Sequence, residues 1–210
     1  KLKKFFLTKV FKKLNTKWIS NKIIFYDIIF FIGNLFHMIE AEDYWDYIIS
    51  TSEKLKDAIE MENPKLRGNL KIEGIFIGDK ESNYLADVIF GLDPKVILFD
   101  KCKLQINSFH GNLCGPIGAE SVTVMNSNLT SMISIGLLSD VAGESLKYLN
   151  LSHNNLGENA KEFFKFFKSI LGYFCSLEYI DLSDNGIKEE EIKEFENYIY
   201  KMGGNITIKY

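Results

Sequence analysis

A chain of 210 residues, 46% of them hydrophobic, is long enough to bury a sizeable core in one or two domains. Three cysteines without paired spacing exclude a disulfide framework and point to reduced thiols in a cytoplasmic or nuclear setting. The net charge of −3 hides an asymmetry: residues 1–22 carry eight lysines and no acid, whereas residues 23–62 carry nine acids against Lys54 and Lys56. Such an imbalance points to an electrostatic partner for the basic end.

Leu7 to Trp18 has the spacing of an amphipathic helix, with Leu7, Val10, Phe11, Leu14 and Trp18 on one stripe. Lys9, Lys12, Lys13 and Lys17 fall on the other side, where they are either solvated or placed against RNA phosphates or an anionic surface. Ile23–Phe36 is apolar nearly all round, but it is shorter than the ~20 residues a spanning helix needs and contains Asp27. No small-residue cleavage site follows it, so a buried helix is expected rather than a membrane anchor. Asp43–Ile59 then has helical spacing, with Trp45, Ile48, Leu55 and Ile59 inward. Pro64 and Gly68 close this helical N-terminal region, residues 1–64.

From Leu70 onward, alternating apolar pairs predict six strands: Ile75/Ile77, Ile97/Phe99, Val122/Val124, Leu149/Leu151, Ile180/Leu182 and Ile206/Ile208. Helices are expected between them at Ser82–Gly91, around Gly115–Glu120, and at Thr130–Gly143, Glu158–Phe174 and Lys188–Met202. The last opens with a run of acids suited to a helix N-terminus.

Two segments share one pattern. Leu146-Lys-Tyr-Leu149-Asn-Leu151-Ser-His-Asn154-Asn-Leu156 and Leu177-Glu-Tyr-Ile180-Asp-Leu182-Ser-Asp-Asn185-Gly-Ile187 both read L-x-x-L-x-L-x-x-N-x-L. This resembles a leucine-rich repeat, in which the Asn bonds backbone groups where the chain leaves the strand. Cys102 and Ser127 stand at the Asn position of earlier, more divergent copies. A strand and a helix per repeat resembles the ribonuclease-inhibitor class of these proteins. That resemblance implies an α/β solenoid over residues 70–210, with about six irregular repeats, a parallel inner sheet and outer helices. The helical region before residue 64 would cap it. Ile23–Ile59 also loosely resembles an F-box, without that module's Leu-Pro start.

No nucleophile, base and oxyanion set converges, and no phosphate-cradling glycine loop is present. Cys102, His110 and Cys114 fall short of a zinc site, and no motif for an arginine finger surrounds Arg67. No catalytic residue, metal or cofactor is expected. The resemblance implies instead a non-catalytic interaction module, an adaptor or scaffold, with a partner protein on the concave face. The residues expected there are Phe76, Leu98, Met125, Tyr148, Asn150, His153, Tyr179, Asp181 and Asp184. Tyr148 and Tyr179 should emerge side by side as an aromatic strip, with Asp181 and Asp184 as a charged rim. Alternatives are a factor bound to a ribosome or other ribonucleoprotein, its lysine helix on RNA, and an F-box-like substrate receptor.

Overall fold

The computed structural model of the chain describes residues 44–61, 67–105, 118–141 and 143–210. The chain divides into two units, Lys1–Tyr44 and Trp45–Tyr210, and every strand and helix described belongs to the second. The expected lysine stripe of Lys9, Lys12, Lys13 and Lys17, the apolar run Ile23–Phe36, and the segment holding His110 and Cys114 lie outside the described residues.

Nine strands are described: β1 (Tyr47–Ile49), β2 (Asn69–Glu73), β3 (Phe76–Ile77), β4 (Val96–Asp100), β5 (Lys103–Leu104), β6 (Ser121–Met125), β7 (Tyr148–Asn150), β8 (Tyr179–Asp181) and β9 (Thr207–Lys209). Seven form one sheet in the order β1-β2-β4-β6-β7-β8-β9, and β3 pairs with β5 in a second. Every pairing is parallel. Five helices are described: α1 (Ser52–Asp57), α2 (Asp79–Leu92), α3 (Ser131–Val141), α4 (Ala160–Ile170) and α5 (Glu189–Lys201). This is an α/β arrangement of strand-and-helix units. No described helix is long and apolar enough to cross a membrane.

One face of the sheet carries the core. Leu70, Ile72, Ile97, Phe99, Val122, Val124, Leu149, Leu151, Ile180 and Leu182 are each at most 1% exposed, and they join the buried residues of the helices in one cluster. Between α4 and α5 that cluster is aromatic. Phe195 stacks at 4.8 Å from Phe164 and 5.3 Å from Phe167, and Phe167 meets Phe174 edge-on at 5.4 Å. The helix starts are fixed locally: the Thr51 hydroxyl accepts from Lys54 N–H at the start of α1, and the Glu81 carboxylate accepts from Gly78 N–H at the start of α2.

Behind the strands runs a ladder of side chains that bond backbone groups of neighbouring repeats. Asn185 donates to the carbonyls of Leu151 (2.8 Å) and Leu182 (3.0 Å) and accepts from Leu156 N–H. Asn154 donates to Val124, Leu151 and Ser152 carbonyls and accepts from Ser127 and Leu129 N–H. Ser127 accepts from Cys102 N–H and donates to the Met125 carbonyl. The Cys102 thiol lies 3.4 Å from the Ile72 carbonyl and 3.6 Å from that of Asp100. Burial pushes its thiol pKa up to about 11, so it stays protonated and can donate.

The structure corrects three sequence expectations. The first repeat strand is β2, with Leu70 and Ile72 inward, whereas Ile75 and Ile77 are buried beyond the turn at Gly74 and Ile77 belongs to β3. At the other end Ile208, not Ile206, aligns with Ile180. Asp43–Ile59 is not one helix: Tyr47–Ile49 pairs with Leu70–Ile72 as β1, and Ile59 is exposed. Its β-branched run takes a strand conformation because β2 offers a hydrogen-bonding edge, a tertiary effect that outweighs helical spacing.

Candidate functional site

The alternate positions of the sheet form a second, more accessible face. Register places Asn69, Val96, Ser121, Tyr148, Tyr179 and Thr207 in one row across β2 to β9. Lys71, Leu98, Thr123, Asn150, Asp181 and Lys209 form the next row, and Glu73, Asp100 and Met125 continue a third. Adjacent side chains within a row are about 4.8 Å apart, so each row is a continuous strip.

Of the charges on this face, Lys71, Glu73, Asp181 and Lys209 sit toward its ends and pair within the chain, and Asp100, on β4, accepts from the Asn126 amide. Lys71 bonds Glu73 at 2.5 Å. Asp181, buried, accepts from Lys209 Nζ at 2.8 Å, from Ser183 N–H at 2.9 Å and from the Ser183 hydroxyl at 2.5 Å. The Lys209 pair ties β9 to β8. On β4, β6 and β7 the first two rows hold only uncharged residues. Val96, Leu98, Thr123 and Asn150 are half-buried there, and Tyr148 is 43% exposed.

Two rims flank the strip. On the side where the strands begin, Glu120 bonds both Lys95 (3.2 Å) and Lys147 (3.0 Å). These bonds, Lys147 foremost, hold the Glu120 pKa below the usual carboxylate range, and Glu120 in turn raises that of Lys147. On the side where the strands end, Gly74, Lys101, Asn126, His153 and Asp184 all take positive φ at equivalent repeat positions. Asn126 donates to Asp100 at 2.9 Å, and His153 Nδ1 lies 3.2 Å from Asp184.

The sequence-predicted residues divide accordingly. Leu98, Tyr148 and Asn150 come together on the uncharged strip, Met125 borders it opposite Asp100, and His153 and Asp184 meet on the rim. Tyr148 and Tyr179 are in register, but Tyr179 is buried, so the expected pair of exposed rings is a single exposed ring. Burial, with Asp181 beside it, raises the Tyr179 pKa. Asp181 is likewise no open rim charge, because Lys209 and Ser183 already occupy it. Phe76 lies on β3 in the two-stranded sheet and is not part of this face. The residues that replace it, Asn69, Lys71 and Glu73, were missed. Their signal was the strict alternation Asn-Leu-Lys-Ile-Glu followed by Gly74. Among the described residues no group of three or more His, Cys, Asp or Glu side chains is arranged to hold a metal.

A parallel ladder of strand-and-helix units with a side-chain ladder behind it defines a repeat protein. The family model described as Leucine Rich Repeat matches residues 145–166 and 176–198, so the chain carries two segments similar to leucine-rich repeats, and the parallel sheet is consistent with that fold. No curated protein matches the chain. Repeats of this family generally serve as protein-interaction modules.

Proposed function

We propose that the chain is a non-catalytic adaptor or scaffold, a leucine-rich-repeat solenoid that docks a protein partner on the concave face of its sheet. The observation that carries this is the uncharged strip of Val96, Leu98, Thr123, Tyr148 and Asn150, with Met125 at its edge, between charges bonded within the chain. An aromatic anchor beside aliphatic and amide groups is the composition of interface centres. Since the flanking charges already have partners within the chain, association should change little with salt.

Pull-down from native extract, with and without nuclease, tests the reading. Tyr148→Ala should weaken capture by about 2 kcal/mol, while thermal stability falls by about 0.2–1 kcal/mol, the worth of a cross-strand pair. Lost stability with capture retained would move the partner off this face. Capture that falls steeply with salt and vanishes with nuclease would favour a ribonucleoprotein partner held by Lys9, Lys12, Lys13 and Lys17. A receptor role through an F-box-like Ile23–Ile59 finds no support in β1, which places Tyr47–Ile49 in the sheet.

A further inference from the structure

We propose, resting on the docking reading above, that the strip takes an extended, uncharged peptide segment of its partner and holds it by its backbone carbonyls. Asn150 accepts from Ser152 N–H through Oδ1 at 2.9 Å, which fixes its amide and leaves Nδ2 with two N–H donors. Those donors meet no acceptor among the described residues, and the hydroxyls of Ser121, Thr123 and Tyr148 make no hydrogen bond there either. Register sets the four side by side, Ser121 opposite Tyr148 and Thr123 opposite Asn150. Val96 and Leu98, half-buried, continue the same two rows on β4.

Charge decides which acceptor fits these donors. No cation stands in either row on β4, β6 or β7, so a carboxylate or phosphate finds no counter-charge and faces Asp100 at the border. A cationic side chain finds the nearby carboxylates already bonded, Asp181 to Lys209 and Asp100 to Asn126. A neutral peptide carbonyl meets neither obstacle and accepts what Asn150 and Thr123 donate.

Width decides its conformation. Neighbouring rows lie about 7 Å apart along a strand. Glu120 with its two lysines stands just before the first row, and Asp100 just after the second. An α-helix, about 10–12 Å across with its side chains, would overlap both. An extended chain seats between them and turns alternate side chains onto Val96, Leu98 and the Tyr148 ring.

The next repeat supplies the test. Asp181 accepts from Ser183 N–H at 2.9 Å just as Asn150 accepts from Ser152 N–H, so Asn150→Asp keeps the turn and removes both donors. A phage-displayed library of short random peptides, panned on the whole chain, is the probe, with affinities from fluorescence polarisation and circular dichroism melts as the folding control. The expected selection is of uncharged sequences with apolar residues at every second position. These should bind Asn150→Asp roughly tenfold more weakly. Thr123→Val, of the same shape without the hydroxyl, should weaken them about fivefold. It keeps the test decisive should Asn150→Asp, which sets a carboxylate beside Asp181, fail to fold. Selection of nothing, of charged sequences, or of apolar residues at helical spacing overturns the proposal. So do peptides indifferent to both substitutions in folded chains. If such peptides still weaken with Tyr148→Ala, only the carbonyl recognition fails; if Tyr148→Ala is also without effect, the docking face fails with it.

Discussion

The repeats around Leu149 and Ile180 and those around Leu70, Ile97 and Val122 form one sheet, yet their backbones are held by different chemistry. In the C-terminal pair the ladder position is Asn154 or Asn185, an amide that both donates and accepts. Toward the N-terminus it becomes Ser127, then Cys102 with thiol contacts at 3.4–3.6 Å, then Ile75, which has no polar side-chain group. The hydrogen-bonding capacity of the ladder therefore fades along the chain while burial does not: Leu70 and Ile72 are as inaccessible as Leu149 and Leu151. The difference teaches that strand alternation and core packing suffice to extend the sheet. The asparagine adds specific backbone anchoring where the repeat pattern is strict.

That comparison can be strained at its junction. Asp140 lies near the end of α3, between the two regions, buried with Oδ2 unpaired among the described residues. Burial pushes its pKa up to about 7 from the ordinary value of 3.8. The native state thus holds a proton that the unfolded state has released between these values. Stability is unaffected below about pH 4, falls as pH rises toward 7 and is lowest above it. Asp140→Asn should remove this slope, gaining roughly 4 kcal/mol at pH 8 and little at pH 4. Urea melts of both forms across that range check it; parallel pH profiles would show that the carboxylate is not buried in solution.

Asn154→Ala should cost on the order of 3 kcal/mol, because it strands carbonyls of Val124, Leu151 and Ser152 and two N–H groups at once. Ser127→Ala, which loses one bond donated and one accepted, should cost about 1 kcal/mol by the same denaturant measurement. Equal costs would erase the gradient between the two regions.

Glycines offer a subtler contrast. A Cβ on Gly157 would lie 2.3 Å from the Gly186 carbonyl oxygen, so the strict repeats approach each other through bare backbone. Gly157→Ala should destabilise by about 2 kcal/mol. A Cβ on Gly91, in α2, meets nothing, and Gly91→Ala should stabilise by about 0.5–1 kcal/mol through helix propensity. Thermal melts with both substitutions would show whether tight repeat contact is confined to the C-terminal half.

The smallest expected effect lies on the rim. Lys101 holds φ 55, a left-handed conformation costly for its side chain, whereas Asn126 at the next repeat position tolerates φ 52. Lys101→Gly should gain up to about 1 kcal/mol and Asn126→Gly close to nothing. A loss at Lys101 would assign its side chain a contact that outweighs the strain.

Much of this architecture was legible in the chain. The strands at Ile97–Phe99, Val122–Val124, Leu149–Leu151 and Ile180–Leu182 follow from alternation, and the ladder positions Cys102, Ser127, Asn154 and Asn185 from their offset to those strands. Alternation is a local property, fixed by which side of an extended backbone each side chain leaves. It falters where it admits two answers. Ile206-Thr-Ile208-Lys-Tyr210 alternates equally well in two registers, and only the pairing of Thr207 with Tyr179 selects one. Leu70/Ile72 and Ile75/Ile77 are both buried pairs, and only hydrogen bonding to β4 identifies the first as the sheet strand.

The candidate site was legible in part for the same reason. The sequence by itself determined which residues alternate away from the core, and so named Leu98, Met125, Tyr148 and Asn150. Tertiary structure decided which of the outward residues remain accessible. Tyr179 and Asp181 alternate correctly but are buried, Asp181 with Lys209 placed against it from 28 residues along the chain. It also decided that Glu120 joins Lys95 and Lys147, an ion-pair ladder no local pattern announces. Periodicity encodes the direction in which a side chain leaves the backbone. Exposure and charge pairing depend on what the fold brings beside it, and that is set by hydrogen-bond register between strands distant in sequence.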